Sequence, residues 1–431
     1  MKNPQTIGPV VKRKLCTGCG TCAGICPRDA IEMVVRRGRY IPRLDKDRCT
    51  RCGWCHEVCP GHSVDFEEIN AILFGDIPED MALGRYLGCY IGHACDEGVR
   101  YNGASGGIVS ALLAFAMEEG LIDGALVTRM RSDDPLRPES FIARTKEEIF
   151  AAAGSKYCPV AAVAALREIL HSEGRFAVVG LPCHIQGLRK AEQHIPRLKE
   201  RIRYRISLAC SLNHSFRGTE RFLQSRGISS GRVAVLQYRG RGWPGSMLIR
   251  LKSGTEYTVP LAEYYKELLP YSLRRCTLCS DMLGELSDLT CGDAWIPEIA
   301  RTDRLGTSFV VSRTPEAEEL LEMAACKEAV ELSELGLQEL LASQGHALFK
   351  KRKLKARMQL FKLAGQSVPT YGQRLLSPIR ADYVNAMKLY AARYVLSGNH
   401  RILRRLFRSV RRPKRPVPQA RIMHAEAVGR R

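Results

Sequence analysis

The chain has 431 residues, 45% of them hydrophobic and 26% charged, enough for two or three domains with cores of their own. Its longest apolar run, Ile108 to Met117, is interrupted by Ser110 and stops at Glu118, short of the roughly 20 residues that cross a bilayer, which argues against an integral membrane protein. The formal charge of +21 is uneven: residues 393–431 hold twelve Lys or Arg against the single acid Glu426. No nucleic-acid recognition motif accompanies that charge.

Of the 17 cysteines, eight fall near the start in two matching runs, Cys16, Cys19, Cys22, Cys26-Pro27 and Cys49, Cys52, Cys55, Cys59-Pro60. This C-x2-C-x2-C-x3-C-P spacing is that of a bacterial two-cluster ferredoxin, in which three close thiolates hold one [4Fe-4S] cube and the fourth reaches to the other. The rule groups Cys16, Cys19 and Cys22 with Cys59, and Cys49, Cys52 and Cys55 with Cys26. Gly18 and Gly20 give the backbone room to wrap a cube, and each proline diverts the chain after the fourth ligand. Structural zinc fits poorly, because it takes four ligands in two separated pairs. A disulfide scaffold needs an oxidising compartment, yet Met1 to Val11 has neither an apolar core nor a small-residue cleavage site. A cytoplasmic electron carrier is expected.

Asp65 to Gly84 reads as a linker with a helical start. Beyond it, buried strands, glycine-rich turns and amphipathic helices alternate, an α/β or α+β texture. Ala104-Ser105-Gly106-Gly107 enters a helix that starts at Ile108 and stops at Gly120; such a turn can present backbone N–H groups to a phosphate or serve as an ordinary N-cap. Leu121 to Thr128 reads as a strand. Gly154-Ser155-Lys156-Tyr157 offers a cation and an aromatic ring to a cofactor, although a lone lysine is commonly a surface residue. A strand over Arg175 to Gly180 breaks at Gly180-Leu181-Pro182-Cys183-His184 and enters a helix over Ile185 to Lys190, the kind of strand end where α/β proteins place ligands. A second strand, Ile202 to Leu208, ends near Cys210 and Asn213-His214. Farther on stand Tyr238 to Gly245, Cys276-x-x-Cys279 with Asp281, and Asp288 with Cys291-Gly292-Asp293-Ala294-Trp295.

Taken together, these segments resemble the beta-subunit family of coenzyme F420 hydrogenase/dehydrogenase, in the form carrying a fused two-cluster ferredoxin, over roughly residues 10–330. The fold expected is α+β: a ferredoxin domain (1–67), a linker (68–85), an α/β flavin-binding catalytic domain in two parts (86–170 and 171–330), and a basic helical extension (331–431). The resemblance implies an oxidoreductase that binds FAD and passes electrons between a two-electron donor, reduced coenzyme F420 or an analogue, and [4Fe-4S] clusters serving a redox protein or larger complex. Carried onto this sequence, Ser105, Gly106, Gly107 and Lys156 become candidates for the flavin pyrophosphate and ring, with Gly180 and Pro182 beside the isoalloxazine. His184 is a candidate for proton transfer or a satisfied structural histidine. Cys183, Cys210, Cys276 and Cys279 are candidates for a third cluster, each with the alternative of plain burial. Cys291 is set aside, and Cys89, Cys95, Cys158 and Cys326 read as structural.

Two other functions share these features: a flavin-free electron-transfer subunit of a larger complex, and a ferredoxin-dependent reductase of a small organic substrate such as a sugar or pigment precursor. In the tail, Ile402, Leu403, Leu406, Phe407 and Val410 fall at helical spacing against an arginine face. Such a helix could lie peripherally on an anionic membrane or dock an acidic protein, the alternative being a solvated tail.

Overall fold

A computed structural model describes residues 5–78, 83–345, 353–372 and 375–391. The basic helix expected near residues 401–410 lies outside them. At the start, the two cysteine runs fold alike. Helical turns Thr21–Gly24 and Trp54–Glu57 each follow a glycine in the left-handed region, Gly20 (φ 90) and Gly53 (φ 87). Two residues earlier a second left-handed position is held by Gly18 (φ 81) in one run and by Arg51 (φ 55) in the other. Between the runs lies the hairpin β1 (Ile31–Arg36) and β2 (Arg39–Leu44), closed by Arg37 and Gly38, both at positive φ as a tight two-residue hairpin turn demands.

After the short β3 (Ser63–Val64), a helix Phe66–Phe74 occupies the expected linker. Asp65 caps it by accepting the Glu68 N–H at 3.1 Å, and Phe66 and Ile69 pack with Ile185 and Leu286. The main sheet then assembles from β4 (Gly88–Ala94), β5 (Gly124–Met130), β6 (Pro138–Ala143), β7 (Phe176–Gly180) and β8 (Ile202–Leu208). An excursion follows: β9 (Val233–Gln237), β10 (Ser246–Leu251) and β11 (Glu256–Pro260) form a separate antiparallel sheet with its own core against helices Phe216–Gln224 and Leu261–Leu268. The chain returns to the main sheet with β12 (Leu289–Asp293), β13 (Ser308–Ser312) and β14 (Val330–Glu334), and β15 (Thr370–Tyr371) pairs with β3.

Strand order in the main sheet is β14-β4-β13-β12-β8-β7-β5-β6. Its middle, β12-β8-β7-β5, is parallel, and the flanking pairs are antiparallel. Alternate residues bury on opposite faces. Ala125, Val127 and Ala177 pack with helices Ile108–Glu118 and Pro315–Cys326. Leu126, Phe176 and Val178 meet Leu188 and Ala191 of the helix Pro182–His194, and Cys19, Ile25 and Val58 of the ferredoxin segment join that core. The cysteine-rich domain is therefore seated on one face of the sheet.

Two expected boundaries shift for local reasons. The strand expected at Leu121 begins at Gly124, because Asp123 is tied to Arg175 through both backbone and carboxylate. The helix expected from Ile185 begins at Pro182, whose missing N–H costs nothing at a first helical position.

Candidate functional site

The parallel strands end together, and beyond their carboxyl ends opens a cleft holding about 1140 Å³ of empty space, its mouth included. Thr128 of β5, Gly180 of β7, Leu208 of β8 and Asp293 of β12 stand along its floor. Crevices at strand ends are where open α/β sheets bind ligands. Ser105, Gly107, Lys156, Gly180 and His184 all line it. Gly106 and Pro182 do not. The Gly106 N–H is engaged by Ser308 Oγ at 2.9 Å, and Ser308 also bonds Ser105 Oγ at 2.6 Å, so the turn is held against β13.

Lys156 folds back over the end of the helix Lys146–Ala151, donating to the carbonyls of Ala152, Ala153 and Gly154 at 2.5, 3.0 and 2.8 Å. Burial pushes its pKa down to about 8. His184 accepts the Leu181 N–H on Nδ1 at 3.1 Å and also bonds the Val160 backbone. Burial lowers its pKa to about 4, so the ring is neutral and braces the strand-to-helix turn.

Asp293 organises the far wall. It takes a bidentate pair from Arg239 at 2.8 and 2.5 Å and the Trp243 indole N–H at 2.8 Å. Arg239 is only 2% exposed, and its charge is retained because Asp293 faces it. Trp295 packs against Trp243 in a tilted contact, ring centroids 4.8 Å apart, and is itself exposed. Cys291, set aside on sequence grounds, also lines the cleft. So does Thr128, which carries no motif. The sequence offers the Asp288 and Cys291-to-Trp295 segment, and the structure shows that Asp293 closes β12.

The ferredoxin cysteines assemble as two groups. Burial pushes Cys16 up to about 12 and Cys59 to about 11, with neighbouring thiols adding: Cys16 feels Cys59 and Cys19, and Cys22 feels Cys19, Cys16 and Cys59. Cys55, pushed to about 11 by burial, feels Cys52, Cys26 and Cys49. Cys26, Cys49, Cys52 and Cys55 also wall one small pocket holding about 360 Å³ of empty space, its mouth included. Thiols crowded in fours, buried at Cys19, Cys22, Cys55 and Cys59 and more open at Cys16, Cys26, Cys49 and Cys52, suit a cationic cluster core, each corner of which takes one sulfur. Among the described residues no three His, Cys, Asp or Glu side chains are spaced for a single shared ion. The two groups adjoin through Cys22 and Cys55.

A third group stands between these and the cleft. Cys183 is held well above its ordinary value by burial first, then by Cys19, Cys210, Cys276 and Cys279. Four cysteines from three separate segments thus meet beside Cys19. Arg275, next to Cys276, donates to the carbonyls of Pro60 and Gly61 at 3.0 Å each, pinning the chain just after Cys59 to this loop. Of the remaining cysteines, Cys89 and Cys158 are buried as expected, whereas Cys95 and Cys326 are exposed and support no packing role.

Comparison with known proteins accords with this arrangement. Residues 89–167 match the N-terminal model, and residues 173–337 the C-terminal model, of the family described as "Coenzyme F420 hydrogenase/dehydrogenase, beta subunit"; residues 15–62 match "4Fe-4S dicluster domain". The beta subunit of coenzyme F420 hydrogenase from Methanosarcina barkeri is 28% identical over 249 residues, 56% of this chain and 80% of that protein. The coenzyme F420-dependent sulfite reductase of Methanocaldococcus jannaschii is 28% identical over 344 residues, 76% of this chain and 49% of that protein. A chain of the F420-reducing [NiFe] hydrogenase complex from Methanosarcina barkeri superposes with a TM-score of 0.54 at 25% identity, covering 68% of this chain and 98% of that one.

Proposed function

Because the chain belongs to the coenzyme F420 hydrogenase/dehydrogenase beta-subunit family and carries a 4Fe-4S dicluster domain, we propose that it is an iron–sulfur oxidoreductase that binds FAD in the strand-end cleft. Reduced coenzyme F420, or an analogous two-electron donor, is the substrate in this reading. An isoalloxazine exchanges a hydride for single electrons. The two ferredoxin groups would hold [4Fe-4S] cubes, and Cys183, Cys210, Cys276 and Cys279 a third. One observation carries the proposal: Cys183 and His184 are consecutive on one helix turn, the first in the cysteine group and the second in the cleft wall. In this reading adjacent residues of one helix would link the two-electron site to the first one-electron site.

The residues divide the work. Lys156 and the Ser105-Gly107 turn supply a cation and a helix N-terminus to an anionic moiety. Neutral His184 fixes the Leu181 backbone through its engaged Nδ1, and would act as a positioning residue for a ring held at this turn. The apolar walls, Ile108, Leu113, Val127, Ile149 and Val179, exclude water. In this reading the domains run 1–67, 68–85, 86–170, 171–330 and 331–431, and the last serves contact with an acidic protein or membrane surface. No helix among the described residues is long and apolar enough to cross a membrane.

Anaerobic reconstitution tests the assignment. Flavin bands at about 370 and 450 nm are expected, with about twelve iron atoms per chain. Reduced F420 should then drive viologen reduction. Iron near eight per chain removes the third cluster; a brown protein without flavin bands shifts the assignment to a flavin-free electron-transfer subunit.

A further inference from the structure

The two ferredoxin groups face different surroundings. Cys19, Cys22 and Cys59 are buried, and the backbone around them is wedged into the rest of the protein: a β-carbon on Gly20 would fall 2.7 Å from Ala164 N, and one on Gly24 would strike the Val163 carbonyl. Cys52, by contrast, is exposed, and Cys26 and Cys49 are partly so. Cys16 is partly exposed as well, but Cys52 is the one exposed thiol of the eight, so the Cys52 face is the most open approach for a protein partner.

That face is cationic. Arg28 and Arg51 border the cavity walled by Cys26, Cys49, Cys52 and Cys55, and Lys46 and Arg48 precede Cys49 on the same loop. All four are exposed, and among the described residues none makes an ion pair. The nearby acids are Asp29, which pairs with Arg167, and Asp45 and Asp47, which alternate with Lys46 and Arg48; Asp45 accepts the Asp47 and Arg48 N–H groups at 2.9 and 3.3 Å, and Arg28 and Arg51 leave the face a modest positive excess. Over residues 5–62 eleven Lys or Arg stand against five Asp or Glu. Complementary charge steers partners and fixes their register.

We propose that the Cys52 face docks an acidic iron–sulfur carrier protein, with Lys46 and Arg48 as its charge contacts. This rests on the cluster assignment above and not on the flavin. The step is a single electron transfer: a reduced cube held by Cys26, Cys49, Cys52 and Cys55 loses one electron, the oxidised carrier gains it, and no proton moves.

Reconstituted full-length protein, its iron counted, is reduced with dithionite, freed of excess and mixed in stopped flow with oxidised, acidic plant-type [2Fe-2S] ferredoxin. The second-order rate constant should fall about tenfold or more from low to high ionic strength. K46E/R48E should fall about as far at low salt and lose the salt dependence, K46Q/R48Q should lie between, and K252E, in the turn after β10, should match the wild type. Equal rates for wild type and K46E/R48E at full iron content overturn the proposal, as does a wild-type rate that rises with salt. Because dithionite loads the cubes directly, a protein lacking flavin still reports on docking, so the two readings fail separately.

Discussion

Gly187 lies against Thr21 so closely that a β-carbon on the glycine would overlap Thr21 Oγ1. The contact joins the helix bearing Cys183 and His184 to the turn bearing Cys19, whose Sγ meets the same Oγ1 at 3.3 Å. Gly187→Ala is therefore expected to destabilise the holoprotein by about 1–3 kcal/mol, the range for overpacking a close contact. Thr21→Ala removes the oxygen in the way, so the double variant should recover most of that loss. A double-mutant cycle by chemical denaturation measures the coupling. Additive effects of the two substitutions would show that the domains are not locked here.

Lys156 gives the cleft a pH dependence. Its folded pKa, lowered by burial from 10.5 to about 8, lies below its unfolded value, so the folded chain binds fewer protons between those limits. Two consequences carry definite signs. Lys156 contributes a stability that increases as pH rises from about 8 towards 10.5. Its charge is lost over the same rise, so affinity of the cleft for pyrophosphate or FAD should fall as pH passes about 8. Titration calorimetry from pH 6.5 to 9.5, about 1.5 pH units to either side, should show affinity falling roughly tenfold, with K156M weak and flat. A wild-type profile as flat as that of K156M would exclude Lys156 from the anion site.

Much of this was legible because it is local. Cluster spacing resides in a dozen consecutive residues, so the grouping of Cys59 with Cys16, Cys19 and Cys22 follows from the pattern alone; in the structure Cys16 and Cys22 each have Cys59 among their charged neighbours. Strand ends rich in glycine pointed to Gly180 and to the Ser105-Gly107 turn, of which Gly180, Ser105 and Gly107 line the cleft. Long-range contacts left no such trace. Nothing in the sequence near Cys183 announces Cys19, more than 160 residues earlier. Gly106 looked identical to its neighbours until Ser308 was found holding its N–H. His184 beside a cysteine suggested a titrating group, yet burial and two backbone partners keep it neutral. Cys291 has no recognisable partner in sequence and reaches the cleft only because β12 enters the sheet beside β8.

The Arg239–Asp293 pair sets the strongest expectation for stability. Arg239 is buried at 2% exposure and carries its charge against one carboxylate, which also holds the Trp243 indole. Asp293→Asn preserves shape while removing the anion, leaving a buried guanidinium without a counter-charge, a situation that costs about 3–5 kcal/mol. Replacing both partners with apolar residues of similar volume, R239M/D293L, should cost less than D293N alone, because no unpaired charge remains. Urea unfolding followed by tryptophan fluorescence reads both quantities, since Trp243 and Trp295 pack together beside the pair. A D293N loss below about 1 kcal/mol would show that water or another group neutralises Arg239, and the far wall of the cleft would then owe its shape to the Trp243–Trp295 packing instead.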